Sequence, residues 1–303
     1  GDPFTVTSPA AGGGLECNVP SDISWNVGGG NVAATVDVLL STDGGNSFAT
    51  VLAANTANDG AETVAGPASL APDARLRINA LGNVFFALSE QIAVQDTLSP
   101  TVSCPANTVA ECTGNNGIER TDPQLSGFFS GASATDACDT ALPPPTDDAP
   151  NFLPLGDSLV GFSTTDASGN TGTCSATVTV QDTQAPAISV SLTPGQLFPS
   201  PNHKMRKIHA TVEVTDTCDP NPAVTLVSIT SNEPENGTGD GDTAPDIMDA
   251  AFGSEDYQFS VRAERAGSGD GRIYTVRYSV ADGSGNTNFA EATVSVAKSK
   301  FGN

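Results

Sequence analysis

The residues able to do covalent or metal chemistry are few. The chain has six cysteines, at 17, 104, 112, 138, 174 and 218, and two histidines, His203 and His209. No Cys-x-x-Cys pair exists, so a zinc site is disfavoured and disulfides in an oxidising compartment are expected. The histidines sit six residues apart in "PNHKMRKIHATV". A metallopeptidase would instead carry His-Glu-x-x-His on a helix. No Gly-x-Ser-x-Gly elbow and no phosphate-binding Gly-rich loop occur either. His203 is therefore read as part of a structured turn. Acidic residues are plentiful, but nothing in their spacing singles out a glycosidase pair.

Carboxylates can also serve hard cations, which take several oxygen ligands from flexible turns. Two places qualify for calcium. One joins Asp96 or Asp182, in the repeated "VQDT", with Asp136, Asp139 and Asp166 from nearby loops. The other is the acidic stretch "NEPENGTGDGDTAPDIMD" (232–249), with Asp240, Asp242 and Asp246. "DGDTAPD" resembles the start of a calcium loop but lacks the bidentate Glu at the twelfth position. "STDGGNSF" (41–48) matches an Asp-box, in which Asp43 would accept backbone N–H groups across a hairpin. "NGT" makes Asn236 a glycosylation acceptor.

The elements that must position these groups are short strands. Gly (31), Pro (21), Ser, Thr and Val abound in the 303 residues, which favours strands joined by tight turns. Helix is expected only as a turn near 246–252. The net charge of -23 argues against nucleic acid and anionic membrane as partners. No apolar run is long enough to span a bilayer, so membrane insertion is not expected. The start, "GDPFTV", reads as a mature or trimmed N-terminus.

Two stretches punctuate the chain, "VQDTLSP" (94–100) and "VQDTQAP" (180–186), each ending an alternating run. They place boundaries at 1–95, 96–182 and 183–303. The second and third segments share "TDACD" with "TDTCD", and "TDASGNTGTCSATVTVQD" (165–182) with "ADGSGNTNFAEATVSVAK" (281–298), which marks them as repeats. The third carries the acidic stretch as an insertion. The expected fold is all-β, three tandem immunoglobulin-like antiparallel β-sandwiches. Trp25, in the alternating "ISWNV", is expected in a core.

The middle segment resembles the hyalin repeat (HYR) domain through "PTVSCPANTVAEC", "ATDACD" and "LPLGDSLVGFSTTDASGNTGTCSATVTVQD". The third is similar to bacterial immunoglobulin-like domains that carry "PNHKM", "SNEPENG" and "RAERAGSGDGRIYTVRYSVADGSGN". The first resembles β-sandwiches found beside secreted bacterial metallopeptidases, through "ISWNV", "VDVLLSTDGGNSF" and "NVFFALSEQIAV". These resemblances imply a secreted or cell-surface bacterial protein, built of domains without catalytic activity of their own.

The HYR resemblance also implies a Cys104–Cys174 disulfide, which leaves Cys112 to pair with Cys138. Cys17 and Cys218 remain, in the first and third segments. Three readings are open: free thiols, an intrachain pair in a folded-back chain, or a bond between copies. The last would join the copies head-to-tail, and head-to-tail contacts that do not close build filaments. The sequence thus points to a non-catalytic extracellular structural protein that self-associates head-to-tail into a surface filament or layer. The N-terminal "GDPFTVTSP" would be a candidate donor strand. The alternatives are an accessory module of a secreted metallopeptidase and an adhesin segment.

Overall fold

A strand buried on one face alternates apolar and polar side chains with a period of two, and this rule builds most of the protein. The computed structural model describes residues 3–29, 32–197, 203–238, 241, 243–267 and 271–297. They gather into two compact units. Unit 1 holds residues 1–106, 127–148 and 159–176, and unit 2 holds 107–126, 149–158 and 177–303.

In unit 1 the strands Phe4–Ser8, Ser21–Val27 and Ala61–Val64 form one antiparallel sheet. The facing sheet runs Gly14–Glu16, Ile92–Gln95, Ala71–Ala80, Thr35–Ser41, Thr50–Ala57. Its inward residues, Val36, Val38, Leu40, Leu76, Ile78, Ile92 and Val94, close over Ile23 and Trp25 from the first sheet. Trp25 is a core residue, as its alternating context predicts, and its indole N–H donates to Asn58. The strand Phe4–Ser8 pairs with Phe4's own neighbour in the fold, Val27, and onward to Ser24. Of the candidate donor segment, residues 1 and 2 lie outside the described residues, and Phe4–Ser8 forms the edge of this sheet, paired on one side with Ser21–Val27. Further along unit 1, Thr101–Ser103 pairs with Ser133–Thr135, and Phe128 packs edge-on against Phe162.

In unit 2 one sheet orders Ala187–Thr193, Met205–Thr215, Gln258–Arg262, Ile247–Met248. The other orders Gln196–Leu197, Thr287–Val296, Arg272–Ala281, Ala223–Ser231. Ile208, Phe259 and Val261 from the first meet Leu226, Tyr274, Val276, Tyr278 and Val294 from the second. Gly117–Glu119 pairs with Phe152–Pro154 in the same unit.

The expected helical turn near 246–252 is corrected. Ile247–Met248 is a short strand on Val261 and Ser260, and Asp249 ends it at φ +59°. Arg262 draws the segment into the sheet, its backbone N–H donating to Asp246 O and its guanidinium to Pro245 O. Helix occurs instead at Ser126–Phe129, led in by a 3₁₀ turn at Pro123–Leu125. Asp122 caps that turn on the Gln124 N–H and Pro123 starts it, a favourable N-terminal pairing.

One feature recurs three times. A short early strand lies parallel to the last strand of its group: Gly14–Glu16 on Ile92–Gln95, Thr108–Glu111 on Val178–Gln181, and Gln196–Leu197 on Ser295–Val296. The pairing brings the end of the early strand beside the exit of the last one.

Leu76 is fully buried in the unit 1 core. Leu76→Ala is expected to cost about 2–5 kcal/mol through lost contacts and a residual cavity. Denaturant unfolding followed by fluorescence of Trp25, the single tryptophan, reads that core directly.

Candidate functional site

All six cysteines are bonded: Cys17–Cys138, Cys104–Cys174 and Cys112–Cys218, with Cα–Cα distances of 5.4, 5.8 and 5.7 Å. Such distances suit an unstrained disulfide. Cys104 and Cys174 pair as the resemblance implies. The Cys112–Cys138 pair and the bond between Cys17 and Cys218 of another copy are corrected. Each "TDxCD" loop lies beside the end of an earlier parallel strand, so Cys138 meets Cys17 and Cys218 meets Cys112. Partners sought within one repeat, or in another molecule, were one repeat away in the same chain.

The two outlying bonds are halves of one design, seen once in each unit. In unit 1, Cys17 follows Glu16 at the end of the early strand, and the Cys17 N–H donates to Gln95 O. The Glu16 carboxylate accepts from the Thr97 N–H at 3.1 Å and from its hydroxyl at 2.8 Å. In unit 2, the Cys112 N–H donates to Gln181 O. Glu111 accepts from the Thr183 N–H at 2.7 Å and its hydroxyl at 3.1 Å. A Glu-Cys dipeptide thus clamps the Thr of "VQDT" through its carboxylate and bonds the following "TDxCD" loop through its sulfur. The sequence held this signal, because Glu-Cys occurs twice, upstream of each "VQDT". Sequence reasoning missed it by treating each cysteine apart from its neighbour.

The loops are shaped by aspartates. Asp136 Oδ1 accepts the N–H groups of Cys138 and Asp139 at 2.7 and 2.9 Å, and Asp216 Oδ1 does the same for Cys218 and Asp219 at 2.8 and 2.7 Å. Asp139 Oδ2 accepts from Ala167 N–H, and Asp219 Oδ2 from Gly283 N–H. In "DxSGN", Asp166 takes both the backbone and side-chain N–H of Asn170, and Asp282 takes those of Asn286. The same asparagines donate to the linker carbonyls of Asp96 and Asp182.

In unit 1 this architecture gathers Asp96, Asp136 and Asp166, with one carboxylate oxygen of each within 4.8 Å of the others. Asp96 Oδ2 is buried without a hydrogen-bond partner. Burial first, then the Asp136 charge, pushes the Asp96 carboxyl above its usual range. Burial also acts on Asp166, but the hydrogen bonds from Asn170 and the turn outweigh it and hold that carboxyl below the usual range. Three carboxylates, one of which has a buried oxygen without a partner, are donors of the hard type that calcium takes.

The other sequence candidates fall elsewhere. Asp139 is engaged with Ala167 and lies outside the cluster. Asp182 holds the position in unit 2 that Asp96 holds in unit 1, and its Oδ2 is likewise buried and unpartnered. Asp240 and Asp242 lie outside the described residues. Asp246 does not join an acidic cation loop: it is buried between Arg262 and Arg272. Asn236 is exposed. Asp43 accepts from the hydroxyls of Ser41 and Ser47 and from the Ser47 N–H, which hold its carboxyl down to about 2. That is the hairpin role expected of an Asp-box. His203 has φ +57° and lies beside Glu264, its Nδ1 3.2 Å from Oε2.

Residues 95–180 match the family model of the HYR domain. The HYR segment therefore contains the Asp96–Asp136–Asp166 cluster, the Cys104–Cys174 bond, and one partner of each remaining bond. No curated protein matches the chain. Among solved structures, Drosophila OTK extracellular domains 3–5 are 11% identical, with 98% of each chain covered and a TM-score of 0.23. Sidekick-1 immunoglobulin domains 1–5 are 12% identical, covering 98% of this chain and 60% of that one, with a TM-score of 0.30. Fibronectin(III)-like modules of Clostridium thermocellum CbhA are 15% identical over 59% of this chain and 95% of theirs, with a TM-score of 0.23. The HYR segment, the all-β sandwiches and the disulfides are of an extracellular type, suited to adhesion or a structural role. Among the described residues, no helix is long and apolar enough to cross a membrane.

Asn170→Ala removes the side-chain donor to Asp166 Oδ2 and leaves the backbone N–H to Oδ1 in place. The Asp166 carboxyl is expected to rise toward its ordinary range, read by carboxyl NMR. Because the folded group titrates below its unfolded value, the stability it contributes is present at neutral pH and lost as pH falls through the folded value. The destabilisation should be largest at neutral pH and shrink in acid, measured by urea unfolding.

Proposed function

We propose that the chain is a non-catalytic structural segment of an extracellular protein, secreted or held at a bacterial surface. Each of its two compact units carries one copy of a Glu-Cys joint that ties a strand end to the following "VQDT" stretch and to the loop beyond it. The observation that carries this reading is the joint itself, two copies of one arrangement built from the same residue types. A joint that combines a disulfide with a carboxylate clamp resists extension and proteolysis, as an extracellular load-bearing or display element must. Each bridge adds about 2–4 kcal/mol by restricting the unfolded chain.

A calcium ion belongs in this reading at Asp96, Asp136 and Asp166. It would give the buried Asp96 oxygen a partner and relieve the repulsion among three carboxylates. Head-to-tail self-association belongs in it only without a covalent link, because the chain's own bonds consume every cysteine. Any filament or layer is then held by noncovalent contacts. Asn236, exposed in "NGT", is open to glycosylation.

Two measurements test the proposal. Non-reducing peptide mapping is expected to recover Cys17–Cys138 and Cys112–Cys218, and reduction is expected to open cleavage at the "VQDT" stretches. Calcium is expected to release or absorb heat on titration and to raise the Trp25 unfolding midpoint. At a calcium concentration 100-fold above Kd the stabilisation is about 2.7 kcal/mol. Asp136→Asn should abolish both effects. Scrambled or free cysteines would sink the joint, and an unshifted midpoint with intact disulfides would sink the cation site alone.

A further inference from the structure

A group of ionisable side chains is buried in unit 2, away from the joint. Glu264 and Arg272 are fully buried, and Asp246 and Arg262 are nearly so. They come from different places in the sequence. Asp246 belongs to the acidic stretch, Arg262 and Glu264 lie at and just beyond the end of Gln258–Arg262, and Arg272 opens the strand Arg272–Ala281.

Every guanidinium contact in the group is directed. Arg272 Nη1 bonds Asp246 Oδ2 and lies 3.3 Å from the Tyr274 hydroxyl, Nη2 donates to Pro234 O at 2.8 Å, and Nε lies 3.4 Å from Glu233 Oε2. Arg262 spends Nε and Nη2 on Pro245 O and Nη1 on His203 O. His203 Nδ1 meets Glu264 Oε2 at 3.2 Å. Glu235 faces the same segment, accepting the Asp246 N–H at 3.2 Å.

Two acceptors are left over. Asp246 Oδ1 and Glu264 Oε1 are both buried with no hydrogen-bond partner. The nearest guanidinium nitrogens lie at 3.6 Å from Asp246 Oδ1 and 3.8 Å from Glu264 Oε1, too far for a hydrogen bond. Both carboxylates approach the same guanidinium nitrogen: Arg272 Nη1 bonds Asp246 Oδ2 and lies 3.8 Å from Glu264 Oε1. A pair of carboxylates so placed cannot both stay ionised in a buried site. A proton held between the two carboxyls gives the orphan oxygens a partner.

We propose that Asp246 and Glu264 share a single proton in a buried carboxyl–carboxylate bond, which latches the acidic stretch onto the sandwich and releases it as the surroundings turn alkaline. Burial, the Glu264 hydrogen bond and the Glu264 charge raise the Asp246 carboxyl to about 6, against the opposing pull of Arg272. The sign follows from linkage. The folded site binds the proton more tightly than the open chain, so its stabilisation is complete below the ordinary carboxylate range and is lost as pH rises through the folded value. For a group near 6 when closed and near 4 when open, local opening increases about tenfold between pH 5 and pH 7.

The test is hydrogen exchange of the intact chain, read by mass spectrometry on peptides covering 243–266 and corrected for intrinsic rates. The expected result is about tenfold faster opening of these peptides at pH 7 than at pH 5, with unit 1 core peptides as the reference. Asp246→Asn supplies a permanent N–H donor to Glu264 and should flatten that dependence. Glu264→Gln should do the same and serves if the first variant fails to fold. Carboxyl NMR of the unaltered protein should show two resonances moving together through one step near pH 6. Equal opening at both pH values, a dependence retained in both variants, or two independent titrations in the ordinary range would each overturn the proposal.

Discussion

The parallel pairing of a short early strand with the last strand of its group is the constraint on which the joints depend. It requires the chain to leave the early strand at the same end where the last strand exits into "VQDT". A Glu-Cys dipeptide placed there reaches the linker and the loop beyond it together. The carboxylate fixes the Thr by two hydrogen bonds, charge-assisted and therefore stronger than neutral ones. The sulfur bonds a loop whose first aspartate, Asp136 or Asp216, accepts the N–H groups of the cysteine and of the aspartate after it. The bonds close separations of 121 and 106 residues, and the cost of closing a loop grows only slowly with its length. Long-range bridges of this kind therefore remove much freedom from the unfolded chain.

The aspartates of "TDxCD" and "DxSGN" explain why an acidic chain can hold so many carboxylates close together. Many of their oxygens accept backbone N–H groups, which shape the loops, and at Asp166 and Asp282 such bonds hold the carboxyl below its usual range. Asp43 shows this with hydroxyl and amide donors alone. In unit 1 one buried oxygen is left over from this scheme, Asp96 Oδ2. The same criterion separates Asp96 from Asp139, whose oxygen is engaged with Ala167, though both read alike as acidic residues in loops.

Local features were legible in the sequence because local physics sets them. The strands around Trp25, the Asp-box hairpin, the repeated "DxSGN" turns and the absence of long helices all follow from alternation and turn chemistry. The pairing of Cys17 and Cys218 was not legible, because it depends on which loop meets which strand end. That is a tertiary fact, set by the parallel register of Gly14–Glu16 and Thr108–Glu111. The segment around Asp246 was misread for a related reason. Its residues suit a helical turn or a cation loop, but buried Arg262 and Arg272 pull it into a short strand, and both arginines are distant in sequence.

The joint also has a polarity that accounts for Cys17 and Cys218. One half, Glu-Cys, ends an early strand; the other half, "TDxCD", belongs to the segment that follows. The first segment carries the Glu-Cys half alone, the middle segment carries both, and the third carries "TDTCD" alone, its early strand Gln196–Leu197 being followed by Phe198 and Pro199. Two donating halves and two accepting halves therefore balance within one chain. Cys17 and Cys218 looked unpaired only because they stand at opposite ends of this series, each bonded to the middle segment. A covalent link between copies would have to break one of these joints and leave its Glu-Cys strand end untied.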